Sequence, residues 1–235
     1  MIFTPLRDSA RVRFNDVMIY INYVESLEPT VNGADNNVIQ ETPPQVKMFR
    51  GLFYVHIYSY VEKTVNDLLI RTIASIKEKN ICNKHFITQF NSISLHSKMQ
   101  SFKQSKNTLY LSKACDVFSG IEGESVCTVA ETVFSEFLQN IWYKTIVEVL
   151  AAFGITNFTR TPIERATVDE VVNKRNAVAH GRLSAVEVGE AHNCSILRDK
   201  MNIIDNLVSE LIDTFESYVM DLQCVKAEFR ALYIV

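Results

Sequence analysis

A chain of 235 residues, 47% of them apolar and 22% charged, can form the core of one large globular domain or of one domain with an insertion. The formal net charge of −3 gives no overall attraction to nucleic acid, so any such binding must come from local clusters of charge. The sequence shows no secretory signal, and no apolar run approaches the roughly 18 residues of a membrane span. We therefore expect a cytoplasmic protein without a membrane anchor.

The cysteines argue against a disulfide framework and against a zinc cluster, because their number is odd and no pair has CxxC spacing. We predict free thiols buried in the core and no metal or other cofactor. The five positions are Cys82, Cys115, Cys127, Cys194 and Cys224.

Apolar residues recur every three or four positions, and only seven glycines and five prolines interrupt the chain. This pattern favours an all-α fold. The first predicted helix runs from Asp8 to about Leu27, and the polar stretch 28–44 that follows it is predicted as a surface loop. Residues 1–44 are therefore interpreted as an N-terminal helix and loop that extend a helical domain over 45–235.

The longest predicted helix follows this loop, from Gln45 to Lys79. Gly51 lowers its helix propensity without ending the pattern. The apolar face of the helix carries Phe49, Phe53, Ile57, Val61, Val65, Leu69, Ile73 and Ile76.

Residues 83–113 form a basic stretch with five lysines and no acidic residue, within an insertion or connector predicted over 83–127. Lysines can follow a phosphate backbone while interleaved aromatic residues stack on bases. The alternative is a solvated connector whose aromatic residues pack inward. The candidate RNA contacts in this stretch are Lys98, Lys103 and Lys106. His85 and His96 lie in the same stretch and could help bind RNA, but solvated positions are expected for both. His192 is expected at the surface.

A further helix is predicted from Val129 to Phe153, ending at Gly154. Capping-box sequences then begin at Thr161 and Thr167. They predict a short turn followed by a helix from about Val168 to His180, with Gly181 as its end. A third capping box begins at Ser184 and predicts the start of the last helix, which continues to about Leu222.

The helix predicted from Val168 to His180 carries an arginine, Arg175, on its inward apolar stripe. A guanidinium stays charged and is costly to bury alone, so it must meet a carboxylate, a bound anion or another chain. Glu62 and Asp67 on the long helix are the candidate partners within the chain.

Asn176 and His180 are four residues apart, so the amide could orient the imidazole. A histidine that titrates near neutral pH suits proton transfer. In the ordinary alternative, Arg175 pairs with a carboxylate and His180 only caps a helix in an inert bundle. Similar spacing also joins Arg50 and His56 within an aromatic-rich helix, and we interpret that pair as structural.

The string "RNAVAHG" resembles the R-N-x-x-x-H signature of the HEPN superfamily, and in particular its RiboL-PSP-HEPN-like members. The resemblance is strongest over 142–218 and weaker over 45–79. It implies an up-and-down four-helix bundle with additional N-terminal and inserted helices. It also implies that Arg175 and His180 are a catalytic pair and that Asn176 supports it. We add Glu62 as a supporting residue, and Lys174 and Arg182 as RNA contacts.

Catalytic members of that superfamily are metal-independent RNases of toxin and phage-defence systems. The resemblance therefore implies RNA as substrate, a homodimer, 2′,3′-cyclic phosphate and 5′-hydroxyl products, and an antitoxin or defence-system partner. Ala177 and Ala179 would let two backbones approach closely. A variant signature has tyrosine two residues after the histidine, where this chain has Arg182, which argues against that toxin–antitoxin subtype.

Two other functions fit the same residues. One is a non-catalytic HEPN module that uses the groove for dimerisation or to hold a nucleotide. The other is a nucleic-acid-binding bundle that acts mainly through the basic stretch from Lys84 to Lys113.

Overall fold

A computed structural model describes residues 2–29 and 41–234, and it confirms the all-α fold. In these ranges there is no β-strand, and only two isolated antiparallel bridges join distant backbone segments. Most of the predicted surface loop, residues 30–40, lies outside the described residues. The α-helices in the described ranges are α1 (Thr4–Ser26), α2 (Pro44–Lys77), α3 (Asn91–Ser94), α4 (His96–Lys103), α5 (Tyr110–Ile121), α6 (Tyr143–Ala152), α7 (Pro162–Ala179), α8 (Ala185–Glu190) and α9 (Cys194–Met220).

Helix α2 lies at the centre of the fold and packs against α1, α7, α8 and α9. Its predicted apolar face is confirmed, except that Phe49 is only partly buried. Helix α1 also packs against α9, where Arg7 pairs with the buried Glu216. None of the helices in the described ranges is long and apolar enough to cross a bilayer.

Two glycines allow α8 to cross α2 at very short range. A Cβ atom on Gly51 would lie 1.9 Å from the carbonyl oxygen of Ala185, and one on Gly189 would lie 1.7 Å from that of Lys47. Both obstacles are backbone atoms, so a larger residue could be accommodated only if a helix moved. The glycine that weakens α2 as an isolated helix is therefore required for its packing.

The prediction of a helix from Val129 to Phe153 is wrong over its first half. Residues 131–136 form turns, Phe137–Gln139 is a single 3₁₀ turn, and the helix begins only at Tyr143. The apolar residues of this stretch are buried at irregular intervals, and its peptide groups bond to side chains of other helices. Tertiary contacts thus override a helical spacing of apolar residues. The predicted stop at Gly154 is confirmed by its positive φ of 77°.

Two further helix boundaries differ from the prediction. Helix α7 starts at the first capping box, where Thr161 accepts from the Glu164 amide, and it runs through the second without a turn. The Thr167 hydroxyl donates instead to the carbonyl of Ile163 inside the helix. The Ser184 capping box starts the short α8, and α9 has a separate N-cap at Asn193.

All five cysteines are free thiols, but they are not all buried. Cys127, Cys194 and Cys224 are buried, Cys82 is half-buried, and Cys115 is exposed on α5. The prediction of buried thiols is therefore wrong for Cys115.

We expect Gly51→Ala to lower the free energy of unfolding by about 1–3 kcal/mol, because the added methyl group would overlap the backbone of α8. Gly120→Ala in α5 is the matched control, since its new methyl group would meet mainly the flexible end of Lys98. The control should be neutral or slightly stabilising because alanine favours helix. Urea unfolding of both variants measures the difference, and equal stabilities would contradict the close crossing of α2 and α8.

Candidate active site

The guanidinium of Arg175 on α7 lies over the ring of Tyr58 on α2, with its central carbon 3.6 Å from the ring centroid. The side chain is 16% exposed, so the cation is largely withdrawn from water. Its Nη2 lies 3.7 Å from a carboxylate oxygen of Glu62, which is itself 44% exposed. The predicted Arg175–Glu62 pair is present, whereas Asp67 pairs with Arg13 and Lys63 instead.

Hydrogen bonds hold the edges of this guanidinium. Nη1 donates to the Asn176 side-chain oxygen at 2.8 Å, and Nη2 makes a long contact of 3.5 Å with the Gln139 carbonyl. Nε is buried without a hydrogen-bond partner among the described residues. The positive charge is stabilised by the face of the Tyr58 ring and by the Glu62 carboxylate, which is not in close contact. The guanidinium can therefore still bind an anion that approaches more closely.

The Tyr58 hydroxyl ties the segment before α6 to α2. It donates to the Gln139 carbonyl at 3.3 Å and accepts from the Ile141 amide at 3.2 Å. Burial raises the pKa of Tyr58, so the hydroxyl keeps the proton that this bond requires. The same tyrosine therefore supports the guanidinium with its ring and positions the Gln139 carbonyl with its hydroxyl.

The Asn176 amide does not orient His180, contrary to the prediction. Its oxygen accepts from Arg175, and its nitrogen donates to the Asn140 side-chain oxygen at 3.0 Å. Both ends of the amide are thus used within the group of side chains around Arg175, namely Tyr58, Glu62, Asn140 and Asn176, which we call the arginine cluster. Only the backbone of Asn176 reaches His180, through an amide-to-carbonyl bond of 3.1 Å.

His180 is the C-cap residue of α7 and is exposed. Gly181 follows with φ of 66°, and the amides of Arg182 and Leu183 both donate back to the Ala177 carbonyl, which confirms the predicted glycine stop. In the described part of the chain the imidazole has no hydrogen-bond or ion-pair partner. Ala177 is buried inside its own bundle, so it cannot face a second subunit as predicted.

The candidate RNA-binding residues fall into two groups. Lys174 is half-buried on α7, and Arg182 is exposed just beyond its end, so both lie beside the pair. The second group is exposed on or just after α4, a helix that packs against α3 and α5 and forms no interface with α7. Within this second group of Lys98, Lys103 and Lys106, Lys98 also donates to the Asp116 carbonyl at 3.2 Å.

The other arginine and histidine of similar spacing, Arg50 and His56, do not form a second site of this kind. Arg50 is buried and pairs with Glu28, its Nη2 lying 2.6 Å from the carboxylate. His56 packs edge-on against the ring of Tyr20, with centroids 5.3 Å apart. Arg50 and His56 thus have separate packing partners.

Two of the histidines expected at the surface are enclosed. His192 Nδ1 lies 2.7 Å from the Tyr54 hydroxyl and 3.6 Å from Glu170, whose other oxygen is 2.6 Å from Lys200. His85 is buried and stacks on Phe229 at 4.0 Å. Burial is the main cause that lowers the pKa of both imidazoles, with nearby lysines adding to it.

A family model, RiboL-PSP-HEPN, matches residues 16–221 of the chain, a range that contains α2, the arginine cluster and all of α9. The chain belongs to the RiboL-PSP-HEPN family. The resemblance based on "RNAVAHG" is thereby confirmed at the level of the family. No curated protein and no solved structure gives a significant match.

In this HEPN domain, the fold brings together Arg175, Asn176 and Glu62 and places His180 at the end of the same helix. Sequence reasoning missed Tyr58, although it lies four residues before Glu62 and therefore on the same face of α2. It also missed Asn140, for which no sequence signal was available, because that residue lies in the stretch wrongly predicted as helix.

The lowered pKa of His192 predicts a pH-dependent stability. A histidine whose pKa is lower in the folded than in the unfolded chain stabilises the fold above its ordinary pKa, and this contribution is lost as pH falls. We expect the free energy of unfolding to decline between pH 8 and pH 5, and to decline less in His192→Gln. Urea unfolding across this range tests the difference, and equal slopes for the two proteins would rule out this role of the histidine.

Proposed function

We propose that this HEPN domain is an endoribonuclease that cleaves RNA without a metal ion, as a homodimer, through Arg175 and His180. The observation that supports this function best is the state of the arginine. Its guanidinium is oriented by the Tyr58 ring, while its nearest carboxylate, Glu62, lies at 3.7 Å. Charge-assisted hydrogen bonds normally measure about 2.7–2.9 Å, so a phosphate could replace this contact with a stronger one.

The proposed reaction is an internal transesterification that releases the downstream fragment with a 5′-hydroxyl. A neutral imidazole takes the proton of the 2′-hydroxyl as the 2′-oxygen bonds to the adjacent phosphorus. The bond from phosphorus to the 5′-oxygen breaks, and an imidazolium supplies the proton to that oxygen. Guanidinium groups stabilise the additional negative charge on the phosphorus oxygens. The products are a 2′,3′-cyclic phosphate and a 5′-hydroxyl.

A second copy of the chain would supply what one copy lacks. One imidazole cannot act as base and as acid in the same step, and among the described residues of its own subunit His180 has no orienting partner. A two-fold axis beside the end of α7 would place two copies of His180 and Arg175 around one phosphodiester. The exposure of His180 and Ala179 fits a contact with another molecule at this end of the helix.

The proposed biological role rests on the resemblance to the HEPN superfamily rather than on the geometry. RNA cleavage by a HEPN domain in the cytoplasm would serve phage defence or growth arrest, under the control of an antitoxin or defence-system partner. Lys174 and Arg182 beside the pair are the proposed phosphate contacts flanking the cleaved bond. The non-catalytic module is the other candidate, and an RNase assay separates the two.

We expect His180→Ala and Arg175→Lys each to lower the rate of RNA cleavage by about 100-fold or more, because one removes a proton-transfer group and the other removes the planar guanidinium. The reaction should proceed in EDTA. His56→Ala is the matched control and should cleave like the wild type. The measurement is product formation from end-labelled RNA, with a phosphatase assay for the cyclic phosphate. Loss of activity in EDTA, or full activity of His180→Ala, would contradict the mechanism.

The dimer requirement predicts inhibition by an inactive partner. An excess of His180→Ala protein, mixed with wild type and allowed to exchange subunits, should reduce cleavage per wild-type chain, because most wild-type chains would then share a site with one imidazole. The same excess of His56→Ala protein should not. Cleavage that stays proportional to wild-type concentration in the mixture with His180→Ala protein would show that one subunit suffices.

A further inference from the structure

A second concave site lies beside α6, where α4 and the segment around residue 137 enclose a cavity of about 410 Å³. Its lining is predominantly apolar and includes four aromatic rings or long apolar side chains, namely Met99, Phe102, Phe134 and Phe137. The ring of Phe137 is 56% exposed, and Met99 is 44% exposed, so the apolar surface is open to a ligand. No residue of the proposed catalytic cluster lines this cavity.

Polar groups lie among the apolar ones in this lining. Lys103 and Gln100 from α4, and Thr145 and Glu148 from α6, all contribute to it, and His96 lies at the start of α4. The set offers donors and acceptors around an apolar, partly aromatic interior. A flat heteroaromatic ring with a polar edge matches this distribution, because its faces can stack on an aromatic side chain while its edge meets the polar groups.

The cavity and the arginine cluster are joined by one short piece of chain. Phe137 lines the cavity, and two residues later the Gln139 carbonyl contacts Arg175. Two residues span at most about 7 Å. Thr145 provides a second connection, since its hydroxyl donates to the backbone oxygen of Asn140, whose side chain binds Asn176. A phosphodiester at the arginine therefore lies within the reach of a base, one or a few nucleotides away, in the cavity.

We infer that this cavity binds one unpaired base of an RNA whose backbone passes Arg175. The inference rests on the proposed RNase function and adds to it a specific contact with the substrate. Phe137 is the stacking surface, and Gln100, Thr145 and Glu148 face the edge of the base. The exposed lysines on and after α4, Lys98, Lys103 and Lys106, flank the strand as it leaves the cavity.

The charges in and beside the cavity suit a base that belongs to a nucleic-acid strand. Glu148 lines the cavity and can accept a hydrogen bond from the exocyclic amine of a base. The lysines extend over nine positions of the chain, a distribution that suits a polyanion better than a single head group.

The test compares Phe137→Ala with Phe118→Ala, each made in the His180→Ala protein so that RNA is not consumed. Phe118 is 69% exposed on α5 and does not line the cavity, so it is a matched control for loss of an exposed aromatic ring. The probes are decamers of adenylate and of uridylate that carry one 2-aminopurine, moved along the strand. Affinity is read by fluorescence anisotropy and stacking by quenching of the 2-aminopurine.

We expect quenching at one position of the strand, and we expect Phe137→Ala to abolish it and to weaken binding by about 10-fold, as for loss of one base–aromatic stack. Phe118→Ala should leave both readouts unchanged. Phe137→Trp should retain the quenching, which separates stacking from any structural effect of the alanine. Thermal unfolding of each variant verifies that the fold is intact.

Other outcomes separate this inference from the function on which it rests. If wild type cleaves RNA while Phe137→Ala and Phe118→Ala bind alike, the base site is wrong and the RNase function stands. If quenching depends on Phe137 but wild type cleaves no RNA, the base site stands and the RNase function is wrong. If decanoate displaces the 2-aminopurine RNA and binds more tightly than that RNA, the cavity is an apolar-ligand site and the inference is overturned.

Discussion

The arrangement around the candidate site depends on one permanently charged group that is largely withdrawn from water. A guanidinium cannot lose its proton, so the fold must surround Arg175 with groups that tolerate a cation. The Tyr58 ring covers one face, and the Asn176 side chain and a backbone carbonyl meet the edges. The segment before α6 is irregular for the same reason, since two of its peptide groups bond to Tyr58, one of them shared with the guanidinium.

Helical periodicity predicted the long central elements well because their apolar faces meet several neighbours at once. Helix α2 is the clearest case. Capping boxes were less informative, because they describe only local hydrogen bonding. The Thr161 box starts α7, but the sequence at Thr167 fits equally well inside a helix, where its hydroxyl bonds to the preceding turn. The division at residue 44 and the dimer remain predictions.

The site could be predicted only as far as it depends on residues of α7 and on the face of α2 that packs against them. Arg175, Asn176 and Glu62 follow from spacing on α7 and α2, and they do meet. Asn140 joins them from a segment without regular structure, so no periodic pattern could have indicated it. His192 was predicted at the surface, yet the fold half-buries it beside Tyr54.

The tight crossing of α8 over α2 has a consequence for the imidazole that precedes it. His180 begins a turn of five residues whose upstream end belongs to α7 and whose downstream end, Ser184, caps α8. Because Gly51 and Gly189 lock α8 to the central helix, this turn is anchored at both ends. Its conformational entropy is therefore lost when the chain folds and not when a substrate arrives, so an exposed side chain on it is still held by a preorganised backbone.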